Sequence, residues 1–260
     1  MKVLVIGDIV ARPGRTAVLE RIEDLRERYK ADLIIANVEN LAGGYSITPP
    51  LVEELLAVGV DVMTSGNHIF DKREAIAYIN QQPKLLRPAN YPPGTPGNGM
   101  WVGQVNGVDV AVINLIGRVF MGPADDPFRA ADALLRELDP SVRVRLVDFH
   151  AEATSEKCAL GWYLDGRVSA IFGTHTHVQT ADERILPQGT AYITDIGMTG
   201  SHAGVIGMDR DDVIARFLTV THRRLESAKG DVRICGIALD IDEQTGRARE
   251  ISRFAIKHES

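Results

Sequence analysis

The chain reads as an α/β protein, a sandwich of two mixed β-sheets flanked by helices, and three observations predict it. In the first third, apolar runs typical of buried strands alternate with segments of helical spacing. Three such strand–helix units in succession indicate a parallel sheet with right-handed crossovers. Further strands follow a proline- and glycine-rich stretch, and some of them carry hairpin signals such as Asn106-Gly107. The 260 residues are 45% hydrophobic, enough for a substantial core, and contain no internal repeat, low-complexity tract or long linker. Residues 1–260 are therefore expected to form one domain.

In order, residues 2–6 read as a buried strand ended by Gly7-Asp8. Val18, Leu19, Ile22, Leu25 and Tyr29 then recur at helical spacing across 14–30, with charged residues between them. The run 33–38 is a second strand ending at Glu39-Asn40. Thr48 before Pro49 opens a helix that closes near Gly59. Val62-Met63-Thr64-Ser65 is a third strand ending at Gly66-Asn67-His68, followed by a helix over 71–80. Residues 88–96 form an ordered surface loop, and strands at 101–105 and 108–115 flank the Asn106-Gly107 turn. Residues 117–138 are expected to be a lid or cap insertion, a loop over 117–129 running into a helix over 128–138. A strand over 142–149 ends at His150, and a helix near 155–164 leads to the strand Ser169-Ala170-Ile171-Phe172. A hairpin around Pro187-Gln188-Gly189, a strand ending near Asp195, a helix from Asp209 and a closing hairpin over 232–257 complete the chain.

The net charge of −6 offers no electrostatic footprint for nucleic acid or an acidic membrane surface. The N-terminal apolar run is too short for a signal peptide, and no stretch approaches the ~20 apolar residues of a membrane span. Cys158 and Cys235 lie far apart without metal-type spacing and read as reduced packing residues, which suits the cytoplasm.

Chemistry-bearing residues recur at the strand ends. Asp8, Glu39 with Asn40, Asn67 with His68, His150, and His175 with His177 each follow a predicted strand. Ligands of open α/β sheets bind at that carboxyl edge. Singly, each has a plainer reading: Asp8 as a helix cap, Asn40 and Asn67 as turn formers, His68 or His150 as satisfied polar residues, His175 and His177 as a surface turn. Together they indicate metal. Two histidines at i and i+2 turn toward one point if the backbone kinks between them. Two carboxylates, two carboxamides and three histidines exceed one tetrahedral zinc but suffice for two ions sharing a bridging carboxylate. Hard oxygen plus imidazole suits iron, manganese or zinc rather than magnesium or calcium alone. Two such ions carry about +4 to +5 against −2 from Asp8 and Glu39, a local excess that attracts an anion such as phosphate.

Asp8 in Gly-Asp, Gly66-Asn67-His68, His150 and His175-Thr176-His177 resemble the signature blocks of the calcineurin-like metallophosphoesterases. More narrowly, Gly7-Asp8-Ile9-Val10, Asn37-Val38-Glu39-Asn40, Arg87-Pro88-Ala89-Asn90, the block 148–157 and the block 173–182 resemble the YmdB family of bacterial phosphodiesterases, over essentially the whole chain. The resemblance implies a calcineurin-like sandwich and a two-ion centre, iron first (Fe2+/Fe3+) and otherwise Mn2+ or Zn2+. It also implies hydrolysis of cyclic nucleotides of both 2′,3′ and 3′,5′ types, including cAMP. Carried over by position, Asp8, Glu39 and His177 hold one ion with Glu39 bridging. Asn40, Asn67, His150 and His175 complete the other, and His68 protonates the leaving oxygen. Val10 stands where many members of the broader superfamily have a histidine, and Glu39 where they have an aspartate. Both departures match the narrower family.

The expected reaction is attack by a hydroxide bridging the two ions, with His68 as general acid. The partner is a small cyclic nucleotide or other phosphodiester, with no membrane and no nucleic acid called for; a homo-oligomer is left open. Two other functions share these residues: a phosphomonoesterase or nucleotidase on the same ions, and a regulatory nucleotide-binding protein with weak catalysis. Arg15, Arg118 and Lys157 stand near the motifs and could meet a phosphate or base, but a solvated surface residue is the preferred reading of each; Phe120 could stack a base at the mouth and fits the core equally well, and none of the four is assigned a site role.

Overall fold

The computed structural model describes residues 1–221 and 224–259. The first sheet starts with β1 (Lys2–Ile6) and the two-residue β2 (Asp8–Ile9). It continues through α1 (Ala11–Tyr29), β3 (Leu33–Asn37), α2 (Pro49–Ala57) and β4 (Val62–Thr64). β1, β3 and β4 run parallel, as the three strand–helix units predict. After α3 (Arg73–Tyr78) the chain crosses to the second sheet with β5 (Met100–Val105) and β6 (Val108–Ile116). Asn106 and Gly107 between them both have positive φ, 50° and 81°, as a type I′ turn requires. Next come α4 (Pro127–Glu137), β7 (Val144–His150), α5 (Thr154–Leu164), β8 (Ala170–Thr174), β9 (Arg184–Ile185) and β10 (Ala191–Ile193). The chain returns to the first sheet with β11 (Met198–Ser201), α6 (Arg210–Thr219), β12 (Val232–Ile241) and β13 (Ala248–Lys257).

Among the described residues the sheet orders are β2-β11-β12-β1-β3-β4, with β13 on β12, and β5-β6-β7-β8-β10-β9. Both sheets are mixed: β12 runs antiparallel to β1, and β5 and β9 run antiparallel to their neighbours. Strand alternation sets the layers. Val3, Val5, Leu33 and Ile35 point into the gap between the sheets against Val110, Leu146, Phe172 and Ile193. Leu4, Ile6, Ile34 and Ala36 on the other face pack under Val18, Ile22 and Leu55 of α1 and α2. On the outer face of the second sheet, Val147, Phe149 and Ile171 pack with Ala131 of α4 and Leu160 and Leu164 of α5. Each such side chain contributes on the order of 1.5–3 kcal/mol.

β2 and β11 are absent from the sequence reading. They pair with each other, Met198 with Asp8 and Thr199 with Ile9, and β11 joins them to β12 through Gly200 and Ser201. Neither has an apolar run long enough to show as a strand. Their pairing fixes Asp8 in a ladder rather than on a free turn.

Candidate metal centre and cleft

Every residue singled out at a strand end lies at one edge of the sandwich. Parallel register aligns the carboxyl ends of β1, β3 and β4, where Asp8, Glu39, Asn40, Asn67 and His68 stand. The same register pairs His150 with Thr174 across β7 and β8, which places His175 and His177 just beyond. The two edges are tied together at Asp148 of β7. Its carboxylate accepts from Thr174 Oγ1 at 2.6 Å, from Asn37 Nδ2 at 3.2 Å and from the Thr64 hydroxyl. Burial pushes the Asp148 carboxyl up, and these donors and His150 oppose that.

Two donor groups form there and Glu39 belongs to both: Asp8, Glu39 and His177 in one, Glu39, His150 and His175 in the other, with the atoms of each within 4.8 Å of one another. In the second group, His150 Nε2 lies 3.1 Å from Glu39 Oε1, 3.1 Å from Asn67 Oδ1 and 3.1 Å from His175 Nδ1. The outer nitrogens are already committed. His150 Nδ1 donates to Thr174 Oγ1 at 2.9 Å, the Thr174 hydroxyl itself donating to Asp148, and His175 Nε2 lies 3.1 Å from Glu152 Oε2. The inner nitrogens are therefore the ones left facing carboxylate and amide oxygens, and each would offer its lone pair to a cation there once any proton on it is displaced. The first group repeats the arrangement. His177 Nδ1 donates to Ile206 O at 2.9 Å, and Nε2 faces Asn40 Oδ1 at 3.2 Å and Asp8 Oδ1 at 3.9 Å. Asp8 Oδ1 is buried without a hydrogen-bond partner among the described residues. Converging acceptors around an unsatisfied buried carboxylate are chemically fitted to cations.

Asn40 differs from the assignment that the resemblance implies. Its Nδ2 donates to Gly44 O at 3.0 Å, which turns Oδ1 toward His177. It stands with Asp8 and His177 rather than with His150.

The electrostatics carry the same imprint. Burial pushes the Asp8 carboxyl up to about 7, against the pull of His177 and His150. Burial also opposes ionisation of Glu39, but His150, through its charge and hydrogen bond, and His68 prevail and hold it at about 2. Burial works against the charge on His150 too, yet Glu39, Asp8 and Asp148 raise it above the ordinary imidazole value. Burial and the neighbouring His150 push His175 down to about 3.

His68 stands at the mouth. Its backbone N donates to Glu39 Oε2 at 3.1 Å, its Nδ1 lies 2.7 Å from Asp71 Oδ2, and its ring meets Tyr45 edge-on at 5.0 Å between centroids. Gly66 permits this approach, since a Cβ there would lie 2.2 Å from the His150 ring and 2.4 Å from Glu39 Oε2.

The turn that carries the histidine pair is strained. His175 and His177 have φ of 98° and 65°, the left-handed region that non-glycine residues rarely adopt. Lys157, 2% exposed, holds the turn from beneath: Nζ donates to Thr174 O at 2.8 Å and to Asp195 Oδ2 at 2.6 Å. The same Asp195 oxygen accepts from Thr176 Oγ1 at 2.8 Å and from its backbone N at 3.2 Å. Lys157 is therefore neither a surface residue nor an open phosphate contact. Leaving one partner of such a pair alone costs about 3–5 kcal/mol. Arg118 pairs with Asp126 at 3.4 Å, Arg15 with Glu54 at 3.6 Å, and Phe120 is exposed.

A cleft of about 900 Å³ opens over the centre, floored by Glu39, Asn40, His175 and His177. Its far wall comes from residues between Val205 and Thr221 together with Leu225, and no residue of 117–138 lines it. The roles of Asp71, Asp148, Thr174 and Glu152 escape the sequence reading. Asp148 and Glu152 fall inside a recognisable block, but nothing in spacing tells a buried carboxylate under a ligand from a ligand.

Fold and donor set together define a phosphoesterase built on the metallophosphoesterase sandwich. The chain belongs to the YmdB-like family, whose model, described as YmdB-like protein, matches residues 4–254. It is 51% identical over 256 residues to the Bacillus subtilis (strain 168) protein named 2′,3′-cyclic-nucleotide 2′-phosphodiesterase, which covers 98% of this chain and 97% of that one. Among solved structures, a hypothetical protein from Thermus thermophilus superposes with a TM-score of 0.94 at 45% identity, covering 100% of both chains. A structure described as a novel phosphatase from Mycoplasma pneumoniae gives a TM-score of 0.94 at 33% identity, covering 99% of this chain and 93% of that one.

Proposed function

We propose that this protein is a dinuclear phosphodiesterase that opens cyclic nucleotides, with 2′,3′-cyclic monophosphates as first substrates and 3′,5′-cyclic monophosphates such as cAMP as further ones. One observation carries the reading: two groups of converging metal-ligand side chains share Glu39, with His68 held beside them. The 2′,3′-cyclic activity named for the B. subtilis relative supports the substrate class. Asp8, Asn40 and His177 would hold one ion, Asn67, His150 and His175 the other, and Glu39 both. Iron is the first candidate, then manganese or zinc. Bound there, two ions would supply Lewis acidity toward the phosphoryl oxygens and lower the pKa of water in the site.

The chain's own residues do the rest. Strand ends from both sheets fix the donors, so little reorganisation accompanies substrate binding. The ester bond that breaks leaves a ribose oxygen, a poor leaving group that needs a proton. Asp71 accepts from His68 Nδ1 and orients the ring, which makes Nε2 the nitrogen that delivers the proton to that oxygen. His68 is thus the general acid. The two cysteines, Cys158 and Cys235, are both free, which accords with a reducing cytoplasm.

The test is a panel of 2′,3′-cyclic AMP, 3′,5′-cyclic AMP and 3′-AMP, assayed on one preparation purified without added metal and analysed for metal. Turnover of the cyclic diesters without the monoester is expected. Preference for the monoester would replace this reading with a phosphomonoesterase. Nucleotide binding without turnover at full metal content would leave a regulatory binder.

A further inference from the structure

The cleft is larger than a phosphate needs, and its wall is unlike its floor. The floor holds the buried ligand atoms; the wall is mostly apolar, made by Val205, Met208, Val213, Phe217 and Leu225, with Arg216 and Thr221 as its polar members. Val213 is buried against Val10, Met198 and Met208, which anchors α6 to the first sheet. Phe217 lies four residues on, on the same helix face, and lines the cleft while 81% exposed. Phe217 does not stand alone: Ile206 and Val220, 50% and 91% exposed, line the same cleft, and a contiguous open apolar surface of this kind marks a binding site. From this continuity we infer that the wall is a nucleobase subsite, with Phe217 as the platform on which the base of the bound cyclic nucleotide stacks. This rests on the cyclic-nucleotide reading above.

The occupant follows from the geometry of the ligand class. A substrate whose phosphate sits over Glu39 must place its ribose and base somewhere along the same cleft. The apolar part of the wall meets the flat face of a base, whereas a phosphorylated protein segment would bring a run of backbone amides to a surface whose polar side chains are Arg216 and Thr221. Contact through the base face also sets a specificity. Stacking is available to every base, so adenine, guanine, cytosine and uracil diesters should be turned over at similar kcat/KM, purines ahead.

The test compares 2′,3′-cyclic AMP with ribose 2,3-cyclic phosphate, which has the same diester and no base, on metal-loaded wild type, Phe217→Ala and Phe217→Trp. Phe217 is exposed, so neither substitution removes core packing. Wild type should prefer the nucleotide by roughly tenfold or more in kcat/KM. Phe217→Ala should lose about five- to tenfold of that, through KM, with the base-free substrate unchanged, and Phe217→Trp should retain the preference. Equal losses on both substrates, or a wild type indifferent to the base, would overturn the subsite while the phosphodiesterase stands. Turnover of neither substrate would overturn the phosphodiesterase reading itself and the subsite with it. Sedimentation on the same variants adds one more outcome. Self-association abolished by Phe217→Ala, with the substrate ratio unmoved, would assign this face to a second copy and overturn the base subsite.

Discussion

Asp8, Glu39 and His150 are buried on strand ends and braced by Asp148, Thr174 and the Lys157–Asp195 pair, whereas Phe217 and Val220, at the other end of the same cleft, stand exposed on and just beyond a short helix. The floor is over-determined: moving one donor disturbs the register of two sheets. The wall is held to the sheet mainly through Met208 and Val213, so the exposed side chains beyond them, Phe217 and Val220, can change without cost to the core. Chemistry that must not vary is placed where the fold cannot vary. Surface that selects the substrate is placed where the fold tolerates substitution.

Removing the shared carboxylate tests that contrast most severely. Glu39→Ala should lose both ions, not one, and activity should fall by more than the roughly 10²–10³-fold that one electrostatic donor supplies. Metal analysis of the purified variant checks it, and retention of full occupancy would show that the two groups are independent. Next in size is the proton donor. His68→Ala should lose about 10²–10⁴-fold on substrates with alkyl leaving groups, and far less on an aryl phosphodiester whose phenolate leaves unaided. Comparable losses on both, with metal content intact, would give His68 a binding role instead.

A subtler cut separates floor from wall. Thr174→Val keeps the shape but breaks the Asp148–Thr174–His150 chain. It should weaken metal binding by about 10–100-fold in titration calorimetry, while a wall substitution leaves metal affinity unchanged. The smallest effect is in pH. The metal-free fold holds a proton on Asp8 up to about 7 that an ordinary carboxyl releases near 3.8, and His150 is raised in the same sense. Protons on these ligands compete with cations, so affinity should rise as pH climbs through that window, with protons released on binding. The raised Asp8 also means that the metal-free fold loses stability as pH rises from 3.8 toward 7, since the unfolded chain gives up that proton first. Added cation should then protect the fold more at pH 7 than at pH 5, which thermal melts with and without metal would show.

The contrast also explains what could be read from the residues alone. Buried strands declare themselves by apolar runs, and the edge of a parallel sheet is predictable in position. Asp8, Glu39, Asn40, Asn67, His68, His150, His175 and His177 are therefore legible as one group from the sequence. β2 and β11 are not legible, because two- and four-residue strands carry no periodic signal. The grouping of Asn40 with His177 depends on an amide turned by Gly44 O, and the burial of Lys157 on a turn formed seventeen residues later; neither leaves a trace in spacing. The wall was hidden for a different reason. A helix from Asp209 is legible, but which of its apolar residues stay exposed depends on how it docks.

The central claim, that one carboxylate serves two ions held by the ends of both sheets, is tested most directly by anomalous diffraction from crystals of protein purified without added metal. Two anomalous peaks per chain are expected, one beside Asp8, Asn40 and His177, the other beside Asn67, His150 and His175, with Glu39 reaching both. A single peak, or two peaks with Glu39 on only one of them, would contradict it.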